Sequence, residues 1–405
     1  MSVKTISFFV LLFVSLTLLS CSNDPSAIGS TFLKGDKIKL DSLDSYPVKS
    51  DTLTQVSSTY QYSTPLGFAN SLLLGRKGNN VASMLMSFNI VLTDSIASGI
   101  KDGSILVSRA FVQLFKSYNY GDSTAAFGYS VHKINTPWTS TTFTVDSFNV
   151  WHAGNQYDQG DIGSSDSVIN TMYQFNVDPL VVNDWLGKNA RGETPDNGIL
   201  VTPSAGTTNR IVGFYALSPS TTVDVPFINI IVNKTGSYTY TDTLKFSTTA
   251  DLSVVTGTIP QIQQDDYIYA QSSVVLESKL KFDISKLPKN AIINYAELQL
   301  TIDTTKSVFG SSFTDQLTAK YITDSTHIDS LSTSAIGMNR VASTSMYTGN
   351  ITYYVQTWLS TKINNGIQIL PSEFTEGAEL WAIYGSKAQD PAKRPRLKIT
   401  YTNKL

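Results

Sequence analysis

The sequence predicts an all-β protein built as two tandem jelly-roll-like antiparallel β-sandwiches, each carrying one short helix. Three observations lead there. First, short stretches alternate between apolar and polar residues. Met84, Met86 and Phe88 alternate with Leu85 and Ser87, Leu298 and Leu300 with Gln299 and Thr301, and Leu397 and Ile399 with Lys398 and Thr400. A period of two, enriched in β-branched and aromatic residues, marks half-buried strands. Second, turn-forming clusters at 75–80, 117–123 and 160–167 punctuate these stretches. Many short strands at such spacing make a sandwich or barrel, not an α/β fold. Third, the whole pattern occurs twice.

The duplication rests on a collinear series of matches. Residues 197–204 (NGILVTPS) align with 365–372 (NGIQILPS) without a gap and agree at five of eight positions. Upstream stand Trp185-Leu186 and Trp358-Leu359. Downstream, a proline leads an apolar stretch in each copy: Pro226 before Phe227, Ile228 and Ile230, and Pro395 before Leu397 and Ile399. Earlier, Phe88-Asn89-Ile90 answers Phe282-Asp283-Ile284, and Ala110, Val112 and Leu114 answer Ala296, Leu298 and Leu300. One segment of each copy changes period. Ile351, Tyr354, Val355, Trp358 and Leu359 form the apolar stripe of a short helix, and Val177, Leu180, Val181 and Trp185 repeat it. Asp178 is placed to cap the earlier helix and Pro179 to take its first position. The two Trp residues are read as core plugs. Domains are therefore expected at 51–235 and 236–405, after a tether at 21–50.

The N-terminus reads as a signal. Lys4 is followed by an apolar run over residues 6–19, too short to cross a bilayer comfortably, which ends at Leu18-Leu19-Ser20-Cys21. The small residue before Cys21 resembles the lipobox of bacterial lipoproteins. That resemblance implies removal of residues 1–20, lipidation of Cys21, and stable membrane attachment through several acyl chains. No Asp follows the cysteine at Ser22 or Asn23, and known sorting rules then imply the outer membrane. Cys21 is the only cysteine among 405 residues, so a chain lipidated there has no thiol for a disulfide, catalysis or metal binding. Net charge is −2 and charged residues make up 15%, which leaves no basic stripe for nucleic acid.

The landmarks of the second copy resemble a known family. Phe282-Asp283-Ile284-Ser285-Lys286-Leu287-Pro288, Ala291, Ile292 and Ala296-Glu297-Leu298-Gln299-Leu300 are similar to the opening of a DNRLRE domain, the disaggregatase-related repeat, also classed among carbohydrate-binding modules. The family's later elements correspond to residues 351–359, Asn365-Gly366-Ile367 and 394–401. The first copy departs more: Asn89 stands for the Asp, no Leu-Pro follows, and Val225 precedes Pro226. The resemblance implies a sandwich that binds polysaccharide. The stretch after Cys21 is also similar to a family of lipoproteins with sandwich repeats.

Catalytic signatures are absent from the sequence. His132, His152 and His327 show no metal-site spacing, and there is no nucleophile elbow or phosphate loop. The chain is read as a non-enzyme. Trp151 and His152, before a polar Gly/Asp/Asn stretch, are candidate sugar contacts, as is Trp138; the competing roles are a loop anchor for Trp151 and a strand-edge packer for Trp138. Asp158, Asp161 and Asp166 form an acidic loop that offers calcium its preferred oxygens, though a solvated loop is the plainer reading. No other cofactor is expected. The expected function is a lipid-anchored envelope protein binding polysaccharide; the alternative is a structural or adhesive surface lipoprotein that contacts envelope proteins.

Overall fold

The structure, a computed structural model, describes residues 38–46, 53–62, 66–67, 69–154, 157–158, 160–161, 163–165, 172–193, 198–217, 224–236, 238–257, 266–327 and 330–404. In chain order the elements are β1 (Ile38–Asp44), β2 (Gln55–Gln61), β3 (Ser71–Lys77), β4 (Asn80–Phe88), α1 (Asp94–Lys101), β5 (Ile105–Gly121), β6 (Tyr129–Lys133), α2 (Val145–Ala153), β7 (Gly163–Ser165), β8 (Met172–Val177), α3 (Pro179–Ala190), β9 (Ile199–Pro203), β10 (Asn209–Tyr215) and β11 (Phe227–Lys234). There follow β12 (Tyr240–Thr256), β13 (Tyr267–Gln271), β14 (Leu276–Phe282), β15 (Ile292–Thr301), β16 (Gln316–Tyr321), β17 (Ile336–Arg340), β18 (Met346–Asn350), α4 (Thr352–Thr361), β19 (Ile367–Pro371), β20 (Leu380–Tyr384) and β21 (Arg396–Lys404). All strand pairings among the described residues are antiparallel. They form two all-β sandwiches.

Register shows that the two sandwiches repeat one plan. Met86 lies opposite Ile199 as Leu280 lies opposite Ile367. Val112 and Ala110 face Ile228 and Ile230, as Leu298 and Ala296 face Leu397 and Ile399. Strands β3 to β11 thus correspond to β13 to β21 one for one, with α3 and α4 in the same place between β8 and β9 and between β18 and β19. Trp185 and Trp358, on those helices, are each 2% exposed. Asp178 caps α3 by accepting from the Leu180 N–H at 2.8 Å, with Pro179 in the first turn.

The repeats do not close on their own leading strands. β12, which leads into the second repeat, pairs through its first half with β11 and through its second half with β4, so it completes sandwich 1. β1 and β2, which lead into the first repeat, pair with β21 and β14 and complete sandwich 2. The leaders are exchanged. The sheets therefore do not divide at residue 235: residues 38–61 belong with the second repeat and 240–256 with the first. In sandwich 1 the leader is one continuous strand crossing both sheets, as β5 also does.

Cores follow from the alternation. Met84, Met86, Val112, Phe175, Val201 and Ile230 fill sandwich 1, and Leu280, Leu298, Tyr354, Ile367 and Ile399 are among those filling sandwich 2. Some strands read as unbroken apolar runs because both faces are covered. In β3, Leu72 and Leu74 point into the sandwich core, and Leu73 points outward into a third cluster with Tyr118, Tyr120, Val255, Tyr269, Leu276 and Ala382. That cluster joins the two sandwiches. In β4, Leu85 faces outward under α2 with Phe148, Trp151 and Tyr157.

Two expectations change. Sandwich 1 carries three helices, not one: α1 turns Ile96 and Ile100 toward the core, α2 buries Phe148 and Trp151, and their eight and nine residues carry no longer stripe than these pairs. Residues 117–121 are strand, not turn; Tyr118 and Tyr120 alternate toward sandwich 2 with polar neighbours between them.

Candidate functional site

Trp151 sits on α2, which begins where Thr144 accepts from the Ser147 N–H at 3.2 Å. Its ring stacks on Tyr157 (centroids 5.5 Å apart, 20° between planes) and on Phe148, and Phe143 meets it edge-on. The indole N–H donates to Thr136 Oγ1 at 2.9 Å. Trp151 is 8% exposed. This is the environment of an anchor that fastens α2 to the outer face of the sheet. His152 Nε2 and the Tyr157 hydroxyl are 2.8 Å apart, and burial lowers the imidazole's pKa. Trp138 is half-buried against the same cluster. Outside the cluster lies a shallow apolar hollow bordered by Phe143, Val150 and Trp151.

The acidic loop is stapled to the sandwich. Asp161 Oδ1 accepts from the N–H groups of Val131 and Gly163, both at 2.9 Å, and Asp158 Oδ1 accepts from Asn135 Nδ2. Asp161 is thereby engaged in holding the loop to β6, and among the described residues no group of three or more His, Cys, Asp or Glu is arranged to hold a metal. Asp166 and Cys21 lie outside the described residues.

The more developed recess lies between the sandwiches, a cleft of about 560 Å³. Sandwich 2 supplies most of it: Ser272 from the β13–β14 turn, Ser312, Phe313 and Thr314 after β15, and Glu373, Glu376, Gly377 and Glu379 between β19 and β20. Sandwich 1 supplies Asn70, just before β3. One wall is aromatic. Phe313, half-buried, stacks on Phe309 at 4.6 Å and 4°, and the buried Trp381 meets both rings edge-on.

The carboxylates opposite do two jobs. Glu376 accepts from the Asn70 N–H and from Ser71 Oγ at 2.9 Å, binding the sandwiches together. Glu379 is 3% exposed and accepts from Tyr118 Oη at 2.6 Å; the same hydroxyl accepts from the Ala378 N–H at 3.0 Å. Burial raises the pKa of both carboxyl groups. Glu373 stays exposed in the cleft. No local pattern in the sequence marks this site, because its aromatic and acidic residues come from separate loops and its Asn70 from the other repeat. Comparison with protein-family models and with curated proteins finds no match.

Proposed function

We propose that this chain is a non-catalytic, lipid-anchored protein of the cell envelope that holds polysaccharide in the cleft between its two sandwiches. The observation that carries the reading is the pairing in one recess of a backed aromatic face, Phe313 on Phe309 and Trp381, with fixed polar groups from Asn70, Ser272, Ser312 and the glutamates. Sugar rings bring an apolar face for the ring and hydroxyls for the polar groups, and small-ligand sites combine these two features. The engagement of Glu376 and Glu379 in docking the sandwiches supports binding over hydrolysis. The resemblance of residues 245–403 to DNRLRE domains points the same way. Attachment is assigned to Cys21, in the outer membrane. In place of Trp151, the cleft is the ligand site we favour.

The test is retention of the chain starting at Ser22 on a panel of immobilised polysaccharides. Phe313→Ala is expected to weaken retention about tenfold, equivalent to about 1.4 kcal/mol, in a chain that still folds, with a lower melting temperature because the ring also packs on Phe309 and Trp381. Absence of binding to the whole panel, or unchanged retention by Phe313→Ala, would favour the second reading: a structural or adhesive surface protein. The exchanged leaders, which interlock the sandwiches, are the observation that favours that alternative.

A further inference from the structure

Each sandwich holds a groove that takes an extended strand, and the two leaders are close variants of one motif. The first reads Asp41-Ser42-Leu43-Asp44 and the second Asp242-Thr243-Leu244-Lys245. They occupy equivalent registers. Asp41 and Leu43 lie opposite Tyr401 and Ile399, and Asp242 and Leu244 lie opposite Val232 and Ile230. Leu43 and Leu244 both pack against the core of the sandwich they complete. The motifs differ in charge only at the fourth position, and there the grooves differ too. Asp44 meets Arg396 in a two-pronged ion pair, Nε to Oδ1 at 2.8 Å and Nη2 to Oδ2 at 2.6 Å. Lys245 instead stands over the ring of Phe227, with Nζ 3.5 Å from the centroid. Arg396 and Phe227 are equivalent residues, each following the proline that opens the last strand of its repeat.

We propose that each groove is a strand-acceptor site specific for one leader, with Arg396 selecting the segment that carries Asp44 and Phe227 the one that carries Lys245. Two leaders of near-identical pattern would otherwise fit either groove. In a direct arrangement each leader would complete the repeat that follows it, against the five-residue connection that ties β12 to β11. In that direct arrangement Lys245 comes to Arg396, a like-charge contact, and Asp44 comes to the face of Phe227, whose quadrupole repels an anion. Both errors occur together, because moving one leader displaces the other. Specificity is a difference of affinities, and here repulsion in the wrong arrangement adds to attraction in the right one. The partner each groove fits is thus an extended Asp-x-Leu segment ending in an acid for sandwich 2 and in a base for sandwich 1.

Disulfide trapping distinguishes the arrangements. The chain starting at Ser22 has no cysteine. In the exchanged form Ser42 lies opposite Thr400; in the direct form it takes the place of Thr243 and lies opposite Ile231. Directly opposed strand residues have Cβ atoms close enough for a disulfide. A chain carrying Ser42→Cys, Thr400→Cys and Ile231→Cys is oxidised and its linkages are counted by mass spectrometry. The native background is expected to link 42 to 400, within a monomer. Adding Asp44→Lys with Lys245→Asp should reverse the ratio of the two linkages by at least about tenfold, toward 42 with 231. The milder pair Asp44→Asn with Lys245→Gln, which adds no repulsion and covers the case in which the reversed chain does not fold, should raise the linkage of 42 with 231 above its level in the native background. If the milder pair still links only 42 to 400, or if a folded reversed chain does so, the proposal fails. A linkage that appears only as a covalent dimer places the leader in a second copy and equally overturns selection within the chain.

Discussion

Trp151 shows how one side chain's role depends on what stands beneath it. Lone among polar residues in the sequence, it has the profile of a sugar platform; in the fold it is 8% exposed, stacked on Tyr157 and Phe148 and bonded to Thr136. Trp151→Ala is expected to cost roughly 3–5 kcal/mol, the range for large aromatic truncations, and to lower the denaturant midpoint while leaving polysaccharide retention unchanged. Asp251 illustrates a charge that folding disfavours. It is 4% exposed on β12, its Oδ2 accepts from the Leu217 N–H at 2.7 Å, and burial pushes its pKa up to about 6. The folded state therefore holds this proton more tightly than the unfolded chain, where the group titrates near 4. Its contribution to stability is complete below pH 4 and is lost as pH rises through about 6. Asp251→Asn, which keeps the acceptor oxygen, is expected to be more stable than the parent above pH 6 and to flatten the pH dependence between 4 and 6. Chemical unfolding at pH 4, 5, 6 and 7 checks both.

At the level of elements, the Asn-Gly pairs explain why the duplication is readable. Gly198 and Gly366 both adopt φ +93°, and a Cβ on either would meet the carbonyl of the facing strand, Met86 O at 1.9 Å or Leu280 O at 2.7 Å. Only glycine satisfies both demands, so both copies carry it in the same register. Gly198→Ala and Gly366→Ala are each expected to destabilise by about 2–4 kcal/mol, with Gly198→Ala the larger effect because its clash is closer; urea melts of the two variants compare them. The helix pair is equally legible from the stripe ending in Trp185 and Trp358. α1 and α2 are less so, because eight or nine residues carry a single apolar pair, Ile96 with Ile100 or Phe148 with Trp151, and not the longer stripe. β3 and β4 show strand composition but not what covers their outer faces, since Leu73 meets the other sandwich and Leu85 meets α2.

For the whole molecule, pairing partners are the least legible property. Nothing in a local pattern says whether Leu43 will meet Ile230 or Ile399, since both are apolar strand residues flanked by similar neighbours. The cleft shares that opacity, being assembled from residues more than 300 positions apart, such as Asn70 and Glu376. Interlocking also sets cooperativity. Sandwich 2 cannot unfold without releasing β1 and β2, which lead into sandwich 1, β12 links sandwich 1 directly to β13, and the Tyr118–Glu379 contact is buried between them. Scanning calorimetry is expected to show one transition, where two independent sandwiches would show two. The same exchange decides how the protein bears tension. Among the described residues, a pull on a chain held at Cys21 meets the β1–β21 ladder at its Ile38 end, so this load falls on the sandwich most distant in sequence from the anchor. The Asp44–Arg396 clasp sits at the far end of that ladder. Peeling the six residues of β1 that precede it would release roughly 20 Å of extended chain, at about 3.3 Å per residue, before the clasp takes the strain. Under the proposed function, the leader strand would act as a length of slack between a membrane anchor at Cys21 and a polysaccharide held in the cleft.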